Sequence, residues 1–239
     1  MLPVLTWGAV SASSLFLGAL LALVRDWHRP TIGRILAFGA GALIASVSLE
    51  LAQEGVVTGG ALAVGLGLAL GAAAYFTADR IVESRADRPG RGGAGGGSGT
   101  ALTVGALLDG IPEQVVLGIG LAAGGEVSMA LLIAIFVSNL PESIGSSADL
   151  LRAGKSRRQV LTQWAVVTVV CILATLAGGL LAEAASPGLT AGIQGFAAGA
   201  LLVMLIDTMI PEARQQGGRS AGLVTVAGFA LAAGLSLLG

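Results

Sequence analysis

The chain has 239 residues, 54% of them hydrophobic and only 11% charged, and its mean hydropathy is +0.87. A soluble domain carries roughly a quarter charged residues, so a soluble fold is excluded and the chain reads as an all-α, polytopic membrane protein. The net charge of −1 informs little by itself, while the single cysteine, Cys171, excludes an internal disulfide and any site built from several thiolates.

Apolar runs fall at 4–24, 32–53, 58–80, 100–123, 127–150, 159–182, 190–211 and 220–238. Each is about the 20 residues that a helix needs to cross the hydrocarbon, so eight transmembrane helices are expected. The first run is not read as a cleavable signal, because no basic residue precedes it and it continues to Val24. Basic residues occupy alternate links. Arg25, Arg29 and Arg34 fall between helices 1 and 2, and Arg80, Arg85, Arg88 and Arg91 between 3 and 4. Arg152, Lys155, Arg157 and Arg158 fall between 5 and 6, and Arg214 and Arg219 between 7 and 8; together these are all 13 Lys and Arg of the chain. The positive-inside rule then makes these four links cytoplasmic and puts both termini outside, with the cell membrane as the expected location. Residues 82–99 form the longest of the links, and their stretch from Arg91 to Gly99 reads as a flexible Gly-rich linker within a single transmembrane domain spanning 1–239.

The 38 glycines are spread through the helices, and three pairs, Gly67/Gly71, Gly120/Gly124 and Gly195/Gly199, have GxxxG spacing. Close packing inside the bundle and a homodimer face are the two readings of that spacing. An internal repeat is also visible. Phe38-Gly-Ala-Gly-Ala-Leu43 matches Phe196-Ala-Ala-Gly-Ala-Leu201, and the same offset carries Glu54 onto Glu212. Helices 2 and 7 run in opposite directions, so the copies are inverted. With helix 4 echoing helix 5, the pattern is a 3+2+3 inverted-repeat arrangement, in which helices 1–3 invert onto 6–8; such repeats are typical of transporters.

The chemistry is concentrated in Asp109-Gly-Ile-Pro-Glu113 on helix 4 and Asn139-Leu-Pro-Glu142 on helix 5. Asp109 and Glu113 are spaced i, i+4, and Asn139 and Glu142 i, i+3, so each pair shares a helix face. Pro112 and Pro141 donate no hydrogen bond and free the carbonyls of Leu108 and Val137. A charged side chain at mid-membrane costs roughly 2.5–3.5 kcal/mol, so Asp109, Glu113 and Glu142 together would cost roughly 7–10 kcal/mol. Such groups are protonated, hydrogen-bonded, solvated or bound to a cation. Neutral Glu113 and Glu142 bonded to the freed carbonyls is the structural alternative, but it leaves Asp109 unexplained.

These two segments resemble the fourth and fifth helices of the ZIP family of divalent-metal transporters, which carry His-Asn-x-Pro-Glu-Gly or His-Glu-x-Pro-Glu-Gly motifs. Eight helices, outside termini and a long link between helices 3 and 4 also resemble that family. By position the motif histidines fall on Asp109 and Ser138, the neighbouring residues on Gly110 and Asn139, the glutamates on Glu113 and Glu142, and the final glycines on Gln114 and Ser143. The resemblance implies a metal site with Asp109, Glu113 and Glu142 as charged ligands and Gln114, Ser138 and Asn139 as neutral ones. Asp207 through Glu212 resembles an acidic Pro-Glu stretch of the family. It also implies that helices 1, 4, 5 and 6 move against the others. Helix 6 lacks the family's additional glutamate, which argues against a second metal, and the 3–4 link has no histidine.

Zinc is the family default, yet a site without histidine is almost all oxygen and suits Mn²⁺, Mg²⁺ or Fe²⁺ at least as well. The metal is cargo, and no resident cofactor is expected. No GxxxxGK[ST] motif and no nucleophile–base pair appears, so the chain reads as a gradient-driven transporter and not an enzyme; the expected partners are lipid and a divalent cation, with no nucleic acid. The alternative is a proton-coupled carrier of a small solute using the same carboxyls. Glu50 and Glu54 near the outer end of helix 2, and Asp207 and Glu212 near the inner end of helix 7, read either as ion stations or as solvated interface acids. His28 reads as an interface residue, Trp7 and Trp164 as aromatic-belt residues, and Cys171 as packing.

Single cysteines placed in residues 92–98 are expected to react with a reagent only from the cytoplasm, and one placed at Gly125 only from outside. Labelling of the linker by an impermeant reagent on intact cells would reverse the orientation.

Overall fold

The computed structural model describes residues 1–86, 97–122 and 128–238, and among these every regular element is a helix. Arg88, Arg91 and most of the Gly-rich linker, together with Gly124 and Gly125, lie outside the described residues. Helix α1 is Leu2–Val24, α2 Arg29–Gly59, α3 Ala61–Ala86, α4 Gly97–Ala122, α5 Met129–Arg152 and α6 Arg157–Ala184. Helix α7 covers residues 187–217 and α8 is Ala221–Leu238. The helices run further into the linker than the apolar runs do, because α3 continues to Ala86 and α4 begins at Gly97.

Seven stretches among the described residues are long and apolar enough to cross a membrane, as a membrane protein requires. The last of them, Pro187–Leu238, has 52 residues. As one rod it would be about 78 Å long, far more than a bilayer core of about 30 Å. It is divided instead at Gly218, whose φ of 66° lies in the left-handed region that a side chain would resist.

Local sequence accounts for the helix ends. Pro3, Pro30 and Pro187 occupy first turns, where the missing N–H is not needed. Ser128, Ser156 and Ser186 cap α5, α6 and α7 by accepting the backbone N–H bonds of Leu131, Gln159 and Leu189. At Ser156 the Gln159 side chain accepts the reciprocal bond from the cap backbone, completing a capping box. Pro112 and Pro141 sit inside α4 and α5, which continue through them.

Two helices carry a wider winding. In α2 the segment Val47–Gln53 is π-helical, and in α7 the segment Leu205–Met209 is. The two segments begin 158 residues apart, the same offset that relates Phe38 to Phe196. Wide turns of this kind are frequent at functional sites.

Packing groups the helices. α1, α4, α5 and α6 pack on one another, chiefly α1 on α5 and α6, and α4 on α6. α3 packs along α7, and α8 along α2, with α2 also lying against α5. Glycines make these approaches close. A Cβ on Gly41 of α2 would overlap the Thr225 carbonyl of α8, and one on Gly199 of α7 would overlap the Leu68 carbonyl of α3. In the reverse direction, Gly228 meets the carbonyl of Phe38 and Gly71 that of Phe196. Gly67 and Gly195 are pressed the same way onto Gly192 and Val64. The GxxxG pairs of α3 and α7 therefore face each other inside the chain.

Trp164 departs from its expected place in an aromatic belt. It is only 1% exposed and packs with Ala12, Leu15 and Ala19 of α1 and Leu150 of α5. Its large apolar ring is worth more filling the gap where three helices meet than lying at an interface. Trp7 is half-buried, His28 is exposed, and Cys171 is fully buried against Gly110, as packing requires.

Gly41→Leu and Gly199→Leu, at positions related by the 158-residue offset, are each expected to destabilise the protein by about 1–3 kcal/mol or more through overpacking. Gly222→Ala on α8, where nothing lies within 4 Å, is expected to be neutral. Thermal unfolding in detergent checks all three; equal tolerance at Gly41 and Gly222 would contradict the packing described.

Candidate functional site

The middle turns of α4 and α5 carry a layer of buried polar groups. Asp109 is 8% exposed, Glu113 1%, Gln114 0%, and Ser138 and Asn139 2% each, while Glu142 is half-buried. The i, i+4 spacing on α4 and the i, i+3 spacing on α5 turn these side chains towards one another. The Asn139 Nδ2–H donates to Glu113 Oε2 at 3.1 Å and joins the two helices. Ser138 adjoins the same carboxyl and donates its hydroxyl to the Ile135 carbonyl at 3.0 Å. Gly39 lets α2 press directly on the Ser138 backbone, so the layer is closed on that side.

Asp109 faces a different helix. The hydroxyl of Tyr75, on α3, donates to Asp109 Oδ1. Tyr75 is the only tyrosine of the chain, and it stands one turn before Asp79, which is near enough to act electrostatically on Asp109. Glu142 lies within electrostatic range of Asp109, Glu113 and Glu212, so the carboxyls of the layer repel one another. Among the described residues, no group of three or more His, Cys, Asp and Glu stands close enough to hold a metal ion.

Gln114 has its own structural role. Its Nε2–H donates to Ser11 Oγ of α1 at 2.9 Å, and its Oε1 accepts from Thr175 Oγ1 of α6 at 2.8 Å. Both ends are occupied in tying α1, α4 and α6 together. Ser143 on α5 adds a second tie by donating to the Ser14 carbonyl of α1 at 3.4 Å. Buried polar ties of this kind are each worth about 0.5–1.5 kcal/mol net and cost more when one partner is lost.

Cavities open at opposite ends of the bundle. One of about 420 Å³ is lined by Trp27, Arg29, Ala148, Asp149, Arg152, Asp207, Thr208, Glu212 and Gln216, and so lies at the end bearing the basic links. Glu212 accepts from Gln216 Nε2 at 2.8 Å. The other, of about 150 Å³, is lined by Glu50, Glu54, Leu117, Ser128, Leu131 and Gln194. On α5 the smaller cavity reaches Leu131 and the larger one begins at Gly145, 14 residues or about 21 Å further along the helix. The polar layer at Asn139 and Glu142 is between them. Leu51, Val116, Leu117 and Leu131, all at most 4% exposed, separate the layer from the smaller cavity.

Asp109, Glu113, Ser138, Asn139 and Glu142 thus form one layer. Gln114 points to other partners, and Glu50/Glu54 and Asp207/Glu212 divide between the two cavities. Tyr75, Thr208, Asp149 and Gln194 were not legible as site residues. Only Tyr75 carried a signal, as a lone tyrosine at i, i+4 from an aspartate within an apolar run. No family model matches the chain, and no curated protein matches it.

Tyr75→Phe keeps the ring and removes the donor to Asp109. It is expected to cost about 1–3 kcal/mol, the penalty of an unsatisfied buried polar group. The unfolding midpoint in detergent would then fall by several degrees; an unchanged midpoint would mean that the bond carries no weight.

Proposed function

We propose that the chain is a ZIP-like transporter of divalent metal cations, with eight membrane crossings in the 3+2+3 inverted arrangement. The observation that carries this reading is a layer of carboxyls buried between two polar cavities at opposite ends of the bundle. A cation path needs that combination: charge at mid-depth, water-accessible approaches on both sides, and a closure on one of them. The cavity at the basic end is the larger and the apolar closure lies on the other side, which corresponds to an inward-facing state under the positive-inside assignment.

The eight-crossing arrangement draws support from the division at Gly218 and from paired contacts. Gly41 on Thr225 and Gly199 on Leu68 are related by inversion of α2–α3 onto α7–α8, as are Gly228 on Phe38 and Gly71 on Phe196. The two π-helical segments share the same offset. The ties of Gln114 and Ser143 unite α1, α4, α5 and α6, the group that the family resemblance would move as one body.

In this reading Asp109, Glu113 and Glu142 supply charge to the cation, and Asn139 and Ser138 supply neutral oxygen. Gln114, committed to Ser11 and Thr175, positions α4 instead. The cation relieves the repulsion that the carboxyls otherwise exert on each other. An all-oxygen set favours hard cations such as Mn²⁺ and Mg²⁺, with Fe²⁺ next and Zn²⁺ as the family default. No ligand triad of acids is gathered among the described residues, so binding draws Glu142 and Asp109 towards Glu113.

A second reading, a proton-coupled carrier of a small solute, is favoured by the partners the carboxyls already have. Tyr75 and Asn139 satisfy Asp109 and Glu113 without any cation. Metal separates the two readings. A divalent cation at a hundred times its Kd would stabilise the purified protein by about 2.7 kcal/mol. Glu113→Gln is expected to abolish most uptake of Mn²⁺ and Zn²⁺, and Asp109→His to shift preference towards Zn²⁺. Undiminished metal uptake by Glu113→Gln would leave the solute-carrier reading in its place.

A further inference from the structure

We infer that Tyr75 is a release latch between two groups of helices. Its hydroxyl holds Asp109 while the central layer is empty, and the species that draws Asp109 into the layer breaks that bond and frees α3 and α7 to move against α4. The inference deepens the transport reading and rests on it for that species, a divalent cation.

The bond lies in the place a latch requires. Tyr75 is 6% exposed on α3, and its hydroxyl donates to the equally buried Asp109 of α4. α3 is pressed onto α7 through Gly71 and Gly199, whereas α4 packs chiefly on α6 and belongs with α1 and α5. The bond therefore spans the seam between the two groups. Gln114, Asn139 and Ser143, by contrast, make their interhelical bonds within the first group, and Arg34 bonds Ser220 within the second. The Tyr75 hydroxyl also adjoins that of Thr208, in the π-helical turn of α7. One hydroxyl thus joins the Asp109 carboxyl to α3 and to α7.

The same bond competes with occupation of the layer. Among the described residues no three acids stand close enough to hold a metal, so Asp109 reaches Glu113 and Glu142 only by leaving its present position. Leaving costs a buried hydrogen bond, which the attraction of a cation for three carboxylates replaces. All three carboxyls belong to α4 and α5. A bound cation therefore tightens one group as it removes a contact to the other, the differential interaction that a ligand needs to shift a conformational equilibrium. The closure of the smaller cavity crosses the same seam, with Leu51 of α2 against Leu117 of α4 and Leu131 of α5, so it reports on the movement.

The test is the rate at which a water-soluble thiol reagent modifies Leu131→Cys in the purified full-length protein in detergent, with and without saturating Mn²⁺. Leu131 is 4% exposed, and Cys171, at 0%, supplies only the background. Without metal, adding Tyr75→Phe is expected to raise the rate about two- to tenfold, the factor that one net hydrogen bond corresponds to. Mn²⁺ is expected to raise it by a similar factor where Tyr75 is present and to add little where it is replaced. Ser143→Ala breaks a tie inside one group and is expected to leave the rate as it was. An unchanged rate in Tyr75→Phe overturns the latch. So does an equal rise in Ser143→Ala, which is general loosening, or a Mn²⁺ effect of the same size with and without the hydroxyl. A faster Tyr75→Phe with no effect of Mn²⁺ in either protein upholds the latch and overturns the metal reading.

Discussion

Carboxyl groups do not enter an apolar bundle without compensation, and the arrangement of this protein follows from how that compensation is made. Asp109 and Glu113 sit where a bare charge would cost several kcal/mol. Each is met by a donor from another helix, Tyr75 from α3 and Asn139 from α5. The layer therefore does two things together. It holds three helices in register, and it gives each of two buried acids a hydrogen-bond donor. Removing the donors would leave the acids to protonate or to draw in water, and in either case the contact between α3, α4 and α5 would loosen.

Polar compensation has a counterpart in how closely the backbones approach. In lipid no hydrophobic force drives one apolar helix onto another, so packing must come from contact and from small residues. Glycine meets a carbonyl at Gly41, Gly71, Gly199 and Gly228, and the pairs form two helix couples, α2 with α8 and α3 with α7. The remaining helices combine the same kind of contact, Gly118 on the Thr175 carbonyl and Gly178 on that of Val115 between α4 and α6, with side-chain ties through Ser11, Gln114, Thr175 and Ser143. The closest packing thus gathers α1, α4, α5 and α6 into one group and pairs α2 with α8 and α3 with α7 in the other. The carboxyl layer lies at the seam between them, which is where a relative movement would alter its exposure from one cavity to the other.

The two cavities differ in character as well as size. At the basic end, Asp149 pairs with Arg152 at 2.7 Å and Glu212 with Gln216, while Asp207 makes no side-chain hydrogen bond or ion pair among the described residues. At the other end Glu50 and Glu54 make no side-chain hydrogen bond or ion pair among the described residues, and an apolar layer closes the way inward.

Much of this was legible in the chain itself. That the chain forms long apolar helices able to cross a membrane follows from the length of the apolar runs, because bilayer thickness acts on local sequence. The pairing of Asp109 with Glu113 and of Asn139 with Glu142 is equally local, a matter of 3.6 residues per turn. What the sequence could not contain is which distant groups meet. Gln114 adjoins Glu113 and reads from the sequence as a neutral ligand, yet Ser11 and Thr175, 103 and 61 residues away, claim both ends of it. Trp164 has the composition of an interface residue and is buried because three helices leave a gap of its size. Tyr75 acquires meaning only through Asp109. Periodicity decides which face of a helix a residue occupies. Which helix that face meets is decided by close packing across the whole bundle, and the chemistry of the site depends on that meeting.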